Sequence, residues 1–270
     1  MSGYRFCRTD DIPLLVEAYN ACHGVSGDEP ALTVEAFKQA TREIGLWASS
    51  CMLAFEGETP IAVLLGAKSA DANFLHRIAV RHDRRRLGHG RHLLDSLKRK
   101  CAILGPPRLL AEIPAALAGI RSFVERCGFV ERARYTDLVA DAPAAETSPL
   151  VSEVSVEELL DAGALDASVP RSWQRSLAVI RKRSRDIEGL AIASDVRIEA
   201  YLLYRHREIV ALGASGPQLF VPLLGAVLRK VGPPLRIPRV AEAEAPPATM
   251  DALGFRREAE YVGYAAEIEP

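Results

Sequence analysis

"RRRLGHGRHLL", residues 84–94, sets three arginines against two glycines one residue apart and closes on an apolar pair. It follows the apolar run "FLHRIAV", residues 74–80, across a short polar connection. One reading is a solvated charge run that precedes a helix. The other is a loop built to hold phosphate. A helix N-terminus carries unpaired N–H groups and a partial positive charge. Glycine there lets an anion approach the backbone. The spacing is not the G-x-x-x-x-G-K-[ST] of a P-loop and it misses G-x-G-x-x-G. On the residues alone both readings stay open.

Outward from this loop, periodicity predicts strands at 4–8, 74–80, 109–113 and 129–139, and helices at 11–22, 34–43, 90–101 and 117–126. A hairpin spans "WASSCMLAF" and "PIAVLLGA", turned by "EGET". Gly128 suits a left-handed helix cap. Hairpin plus strand–helix alternation implies an α/β (α+β) unit with a mixed sheet.

The pattern occurs twice. "GPPRLLAEIPAALAGIRSFVERCGFVERARY" (105–135) and "GPPLRIPRVAEAEAPPATMDALGFRREAEY" (232–261) share Gly-Pro-Pro, a strand, a helix ending in Gly-Phe, and a tyrosine seven residues after that glycine. "LLDSLKRK" from Leu93 is mirrored by "LLGAVLRK" from Leu223. Between them "ADAPAAETSPL" reads as a linker. Two domains follow, 1–140 and 150–270, joined by 141–149.

A net charge of −1 over 270 residues argues against a coat for nucleic acid. With 49% hydrophobic and 26% charged residues the chain can bury a sizeable core. The N-terminus has no apolar run of signal-peptide length. The longest uncharged run, 209–228, contains Pro217 and Pro222 and reads as strand, turn and helix start, so no membrane span is expected. Five cysteines (7, 22, 51, 101, 127), odd in number and without C-x-x-C, read as reduced, buried thiols of a cytoplasmic protein. His82, His89 and His92 fit no common zinc spacing, so no metal is expected. Cys127, beside a helix-ending glycine, reads as a packed thiol. "RSWQRSLAVIRKRSRD", 171–186, reads as a helix with a basic face, solvated or turned to an acidic partner.

Arg85-x-x-Gly88-x-Gly90 resembles the [RQ]-x-x-G-x-[GA] signature of the GNAT superfamily of N-acetyltransferases, and "FVERCGF" resembles that superfamily's "FYEKLGF" segment. The resemblance implies two GNAT-like units, each a mixed, largely antiparallel twisted sheet flanked by helices. It implies acetyl-CoA as cosubstrate, with Arg85, Arg86, Gly88, His89, Gly90 and Arg91 around its pyrophosphate. Ile78, Ala79 and Val80 would pair with the pantetheine arm as an added strand does. The Ile78 N–H would stabilise the thioester oxyanion.

"FLHRIAV" is similar to "HLHALAV" of the arylalkylamine branch, which makes His76 the candidate base; a histidine satisfied within the sheet is the alternative, and Glu112 a second candidate. The family's usual acid, a tyrosine, is replaced by Val124, and its frequent asparagine by Leu117. Water, Tyr135 or nothing then protonates the thiolate. The second unit has no cation in the corresponding loop and Met250 at the acid position, which reads as a degenerate copy.

The function implied is N-acetyl transfer to a primary amine of a small molecule or amino acid, with a protein or peptide acceptor also open. Loops 22–32 and 68–73 would shape the acceptor pocket. The alternative is a non-catalytic coenzyme A-binding sensor or scaffold. A homodimer is left open.

Overall fold

The computed structural model describes residues 2–23, 31–166 and 168–268. These form two compact units: 2–113 with 117–132 and 264–268, and 114–116 with 133–263. Of the predicted acceptor loop 22–32, residues 24–30 lie outside the described residues.

The first half of the sequence runs β1 (Ser2–Phe6), α1 (Ile12–His23), α2 (Val34–Ile44), β2 (Met52–Glu56), β3 (Thr59–Lys68), β4 (Asn73–Val80), α3 (His89–Leu104), β5 (Arg108–Pro114), α4 (Ala118–Arg126) and β6 (Val130–Ala140). The periodicity finds these elements to within a few residues. The expected first hairpin strand is shorter, because Ala48–Ser50 forms a 3-10 turn before it. β1 to β4 pair antiparallel in sequence order, and β4 pairs parallel with β5. Every β3 residue from Ile61 to Ala67 is buried, so both faces of the sheet are covered. α1 and α3 pack against it. Leu93, Leu94 and Leu97 of α3 are fully buried or nearly so. Each such side chain contributes about 2 kcal/mol.

The second half repeats this order: β7 (Ser152–Glu153), α5 (Val156–Asp161), α6 (Leu177–Lys182), β8 (Glu188–Ala193), β9 (Ile198–Arg205), β10 (Glu208–Ala214), α7 (Phe220–Val231), β11 (Leu235–Ala241), α8 (Pro247–Ala252) and β12 (Arg256–Glu267). α7 buries Leu223, Leu224 and Val227 against Leu202, Tyr204, Leu212 and Ile237. No helix among the described residues is long and apolar enough to cross a membrane.

The contacts divide the chain elsewhere than at 141–149. Residues 135–140 of β6 pair antiparallel with β11 inside the second unit. Residues 264–268 belong to the first unit, where the Ile268 N–H donates to the Pro107 carbonyl at 2.9 Å and the Tyr264 hydroxyl to Glu125 at 2.8 Å. The 141–149 stretch is itself docked. Ala144 N–H donates to the Leu253 carbonyl, and the Glu146 carbonyl passes so close to Gly225 that a Cβ there would sit 2.0 Å from it.

The segment 171–186 is not one helix. The Ser176 hydroxyl caps the Val179 N–H, so α6 starts there, and 3-10 turns flank it at Trp173–Arg175 and Ser184–Asp186. Nor is its basic face wholly solvated: Arg175 is 1% exposed and pairs with Glu244 at 2.6 Å.

Candidate active site

β4 carries one extra residue relative to β3. Leu65 and Gly66, adjacent on β3, face Arg77 and Leu75, so His76 is the bulged residue. A bulge re-aims the side chain it carries. The simple alternation that would put Phe74, His76, Ile78 and Val80 on one face is therefore broken at His76. β4 and β5 pair only at Asn73↔Leu109, Phe74↔Leu110 and Leu75↔Ala111. His76 and Glu112 are the next residue on each strand, so both base candidates stand where the sheet opens. Both are partly exposed.

Beyond the bulge the backbone orientation follows from one bond. The Arg81 N–H donates to the Ile61 carbonyl at 2.9 Å, so residue 81 faces β3. In an antiparallel ladder successive residues alternate in direction. Ala79 therefore also faces β3, while the N–H and C=O groups of Ile78 and Val80 face the side on which β5 has parted. Of the three residues expected along pantetheine, Ile78 and the Val80 N–H face the opening, the Val80 carbonyl accepts from Arg85 Nε, and Ala79 faces β3. The Ile78 N–H is aimed into the opening.

The chain then turns through Arg85 and Arg86 into α3. Gly88 caps the helix with φ 87°, a left-handed conformation that costs a Cβ-bearing residue about 1–2 kcal/mol. Nothing lies within 4 Å of where its Cβ would be. At Gly90 a Cβ would meet Phe123 at 3.4 Å and Val80 at 3.7 Å. The first-turn N–H groups of α3 have no intrahelical acceptor. Arg81 and Arg84 are spent on Asp83 and Glu56. Among the described residues Arg85, Arg86 and Arg91 have no acidic partner. Arg85 Nε donates to the Val80 carbonyl at 3.1 Å, and Arg91 to the Arg126 carbonyl at 3.2 Å. Three uncompensated guanidiniums around an open helix N-terminus fit a pyrophosphate.

The His89 side chain does something the sequence did not suggest. It is buried, and its Nδ1 is hydrogen-bonded to the Tyr4 hydroxyl at 2.6 Å, while the His92 ring lies 3.8 Å from that of Tyr4. This ties β1 to the start of α3, so His89 offers the loop its backbone N–H rather than its ring. The signal was Tyr4 itself, a polar aromatic in a short strand, but nothing in the sequence pairs it with residue 89.

At the usual acid position Val124 is fully buried. Tyr135 lies in the second unit, its hydroxyl donating to the Arg171 carbonyl at 3.3 Å. Burial pushes the Cys127 thiol up, which fits a packed rather than a nucleophilic cysteine.

The second unit has the same bulge with different chemistry. Tyr204 and Leu203 of β9 face Ile209 and Ala211, so Val210 takes the bulged position that His76 holds in β4. β10 pairs with β11 only at Glu208↔Arg236. Leu212, the counterpart of Ile78, gives its N–H to Glu244 Oε1 at 3.3 Å. Arg175 binds the same carboxylate oxygen and the Ile209 carbonyl. The corresponding opening of the second unit holds a buried ion pair, which sequence reading missed.

Residues 12–129 match the model described as Acetyltransferase (GNAT) family. The chain is similar to a GCN5-related N-acetyltransferase from Sphaerobacter thermophilus, at 17% identity over 100% of this chain and 96% of that one, with a TM-score of 0.68. It is similar to a tandem GNAT protein from the clavulanic acid biosynthesis pathway, at 14% identity over 100% and 99%, with a TM-score of 0.63. It is also similar to a GCN5-related N-acetyltransferase from Anabaena variabilis, at 8% over 100% and 73%, with a TM-score of 0.60. No curated protein matches the sequence.

Proposed function

From the premise that residues 12–129 belong to the acetyltransferase (GNAT) family, we propose that the first unit moves the acetyl group of acetyl-CoA onto a primary amine of a small molecule or amino acid. The observation that carries this reading is the open N-terminus of α3, capped by Gly88 and ringed by three arginines without acidic partners, at the end of a strand that has parted from its neighbour. The α3 amides with Arg85, Arg86 and Arg91 hold the pyrophosphate. Ile78 and Val80 present backbone groups to the pantetheine. Acetyl-CoA, when bound, supplies the activated acyl group. His76 accepts the proton of the attacking amine, with Glu112 beside it at the mouth of the opening. The Ile78 N–H donates to the acyl oxygen as charge grows there.

The second reading, a coenzyme A-binding sensor, is favoured by one observation. Val124 is a buried hydrocarbon where the family's acid stands, so the leaving thiolate has no side-chain donor from α4. Incubation with acetyl-CoA, an amine panel and a thiol reagent separates the two. Steady thiol release that requires an amine supports the transferase. Coenzyme binding without turnover across small-molecule, amino-acid and peptide amines supports the sensor.

A further inference from the structure

One row of side chains runs across the sheet of the first unit. Tyr4 of β1 pairs with Ala54, Ala54 with Ala62, and Ala62 with Val80 of β4. Residues paired across strands share a face. The row therefore has a tyrosine and a valine at its ends and two alanines between them. The first turn of α3 meets both ends. A Cβ at Gly90 would stand 3.7 Å from Val80, and His89 reaches Tyr4, its Nδ1 hydrogen-bonded to the hydroxyl at 2.6 Å. Two small residues let α3, which packs on β2, β3 and β4, come down between those ends.

The chain that leads into this turn has little else to hold it. From Arg85 to Gly88 every residue is exposed. Arg86 and Gly88 take left-handed backbones, with φ 67° and 87°. Gly88 caps α3 without a side-chain hydrogen bond. Arg85 is tethered to the Val80 carbonyl, and His89 is the first buried side chain after Ala79. Tyr4 also meets His92, one turn along α3, with the rings 3.8 Å apart.

A bond at the first helical residue fixes more than itself. The amides of His89, Gly90 and Arg91 have no intrahelical acceptor. The His92 N–H closes the first turn on the Gly88 carbonyl at 3.0 Å. Holding the His89 ring sets where the three open N–H groups point before any anion arrives. Donors fixed in advance bind more tightly, because less freedom is lost on binding.

We propose that Tyr4 is a positioning residue for the anion loop, setting the first turn of α3 for a pyrophosphate through its bond to His89. This rests on the assignment of coenzyme A to that loop. Tyr4 acts through the His89 ring and not by contact with the ligand.

The full chain is titrated calorimetrically with coenzyme A as wild type, Tyr4→Phe, His89→Leu and the double variant. Phenylalanine keeps a ring against His92 and removes only the hydroxyl. Affinity should fall about three- to tenfold in Tyr4→Phe, the worth of one hydrogen bond, and at least as far in His89→Leu. The double variant should bind no more weakly than His89→Leu alone, since the two residues act as one unit. Hydrogen exchange on the unliganded chain gives a readout that a general loss of stability would not. The His92 amide should exchange at least about threefold faster in Tyr4→Phe, with the amides of 97–101 unchanged. Unchanged affinity in Tyr4→Phe, additive losses in the double variant, an unchanged His92 amide, or faster exchange spread evenly along α3 overturns the proposal and leaves the loop assignment standing. A wild type that binds no coenzyme A overturns the loop assignment, and this proposal with it.

Discussion

Gly88 combines a positive φ with open space, so Gly88→Glu acts locally. The left-handed backbone should cost about 1–2 kcal/mol of stability. The new carboxylate stands at the helix N-terminus where the pyrophosphate is proposed, so affinity for acetyl-CoA should fall by at least about a hundredfold, through like charge and occupied space. Calorimetry on the variant checks both effects, with thermal denaturation as the control. His76 is tested by kinetics. As the base, His76→Ala should lower kcat by roughly 10²–10⁴, remove the ascending limb of the pH–rate profile and leave acetyl-CoA affinity nearly unchanged. Full activity at every pH would return His76 to a packing role. At this scale the sequence was most legible where chemistry depends on backbone. The glycines at 88 and 90 mark the turn into α3, where Gly88 takes a left-handed backbone. It was least legible where a side chain finds a distant partner, as with His89 on Tyr4 and Arg175 on Glu244.

The element that matters most is the fourth strand of each unit. β4 and β10 both bulge and both part from a parallel neighbour, and beside β10 the opening holds the pair of Arg175 and Glu244. The Gly-Pro-Pro and Gly-Phe repeat was readable because strand, helix and strand recur with fixed punctuation. The bulge was not, since it exists only relative to β3 or β9 and leaves no local signature. Nor was the break at Ser176 inside 171–186, where basic residues conceal a capping serine. The buried pair in the second unit should be structural. Glu244→Ala leaves Arg175 and Arg171 as uncompensated buried cations and should cost about 3–5 kcal/mol in chemical denaturation. A loss below about 1 kcal/mol would mean that water reaches the pair.

Across the whole molecule, the first unit is completed by residues 264–268, and residues 135–140 find their partner in β11. A chain truncated after residue 149 should therefore lose cooperative unfolding, as followed by circular dichroism, although the linker composition invites the cut. The pH response of the intact chain follows from its thiols. Burial pushes Cys7 and Cys51 up to about 12, against an unfolded value near 8.5. The folded state then holds more protons between those values. The stability contribution is full below about pH 8.5 and is lost as pH rises toward 12. The melting temperature should fall from pH 8.5 to 10, and less so in Cys51→Ala after allowing for its lower baseline.

The central claim is that one anion loop, in the first unit, holds acetyl-CoA. The second unit has a filled opening and no cation at 213–224, although both units share the strand–loop–helix plan. Calorimetric titration of acetyl-CoA into the full chain tests this directly. The account predicts one site per 270 residues, lost in Gly88→Glu. Two equivalent sites, or one site untouched by Gly88→Glu, would contradict it.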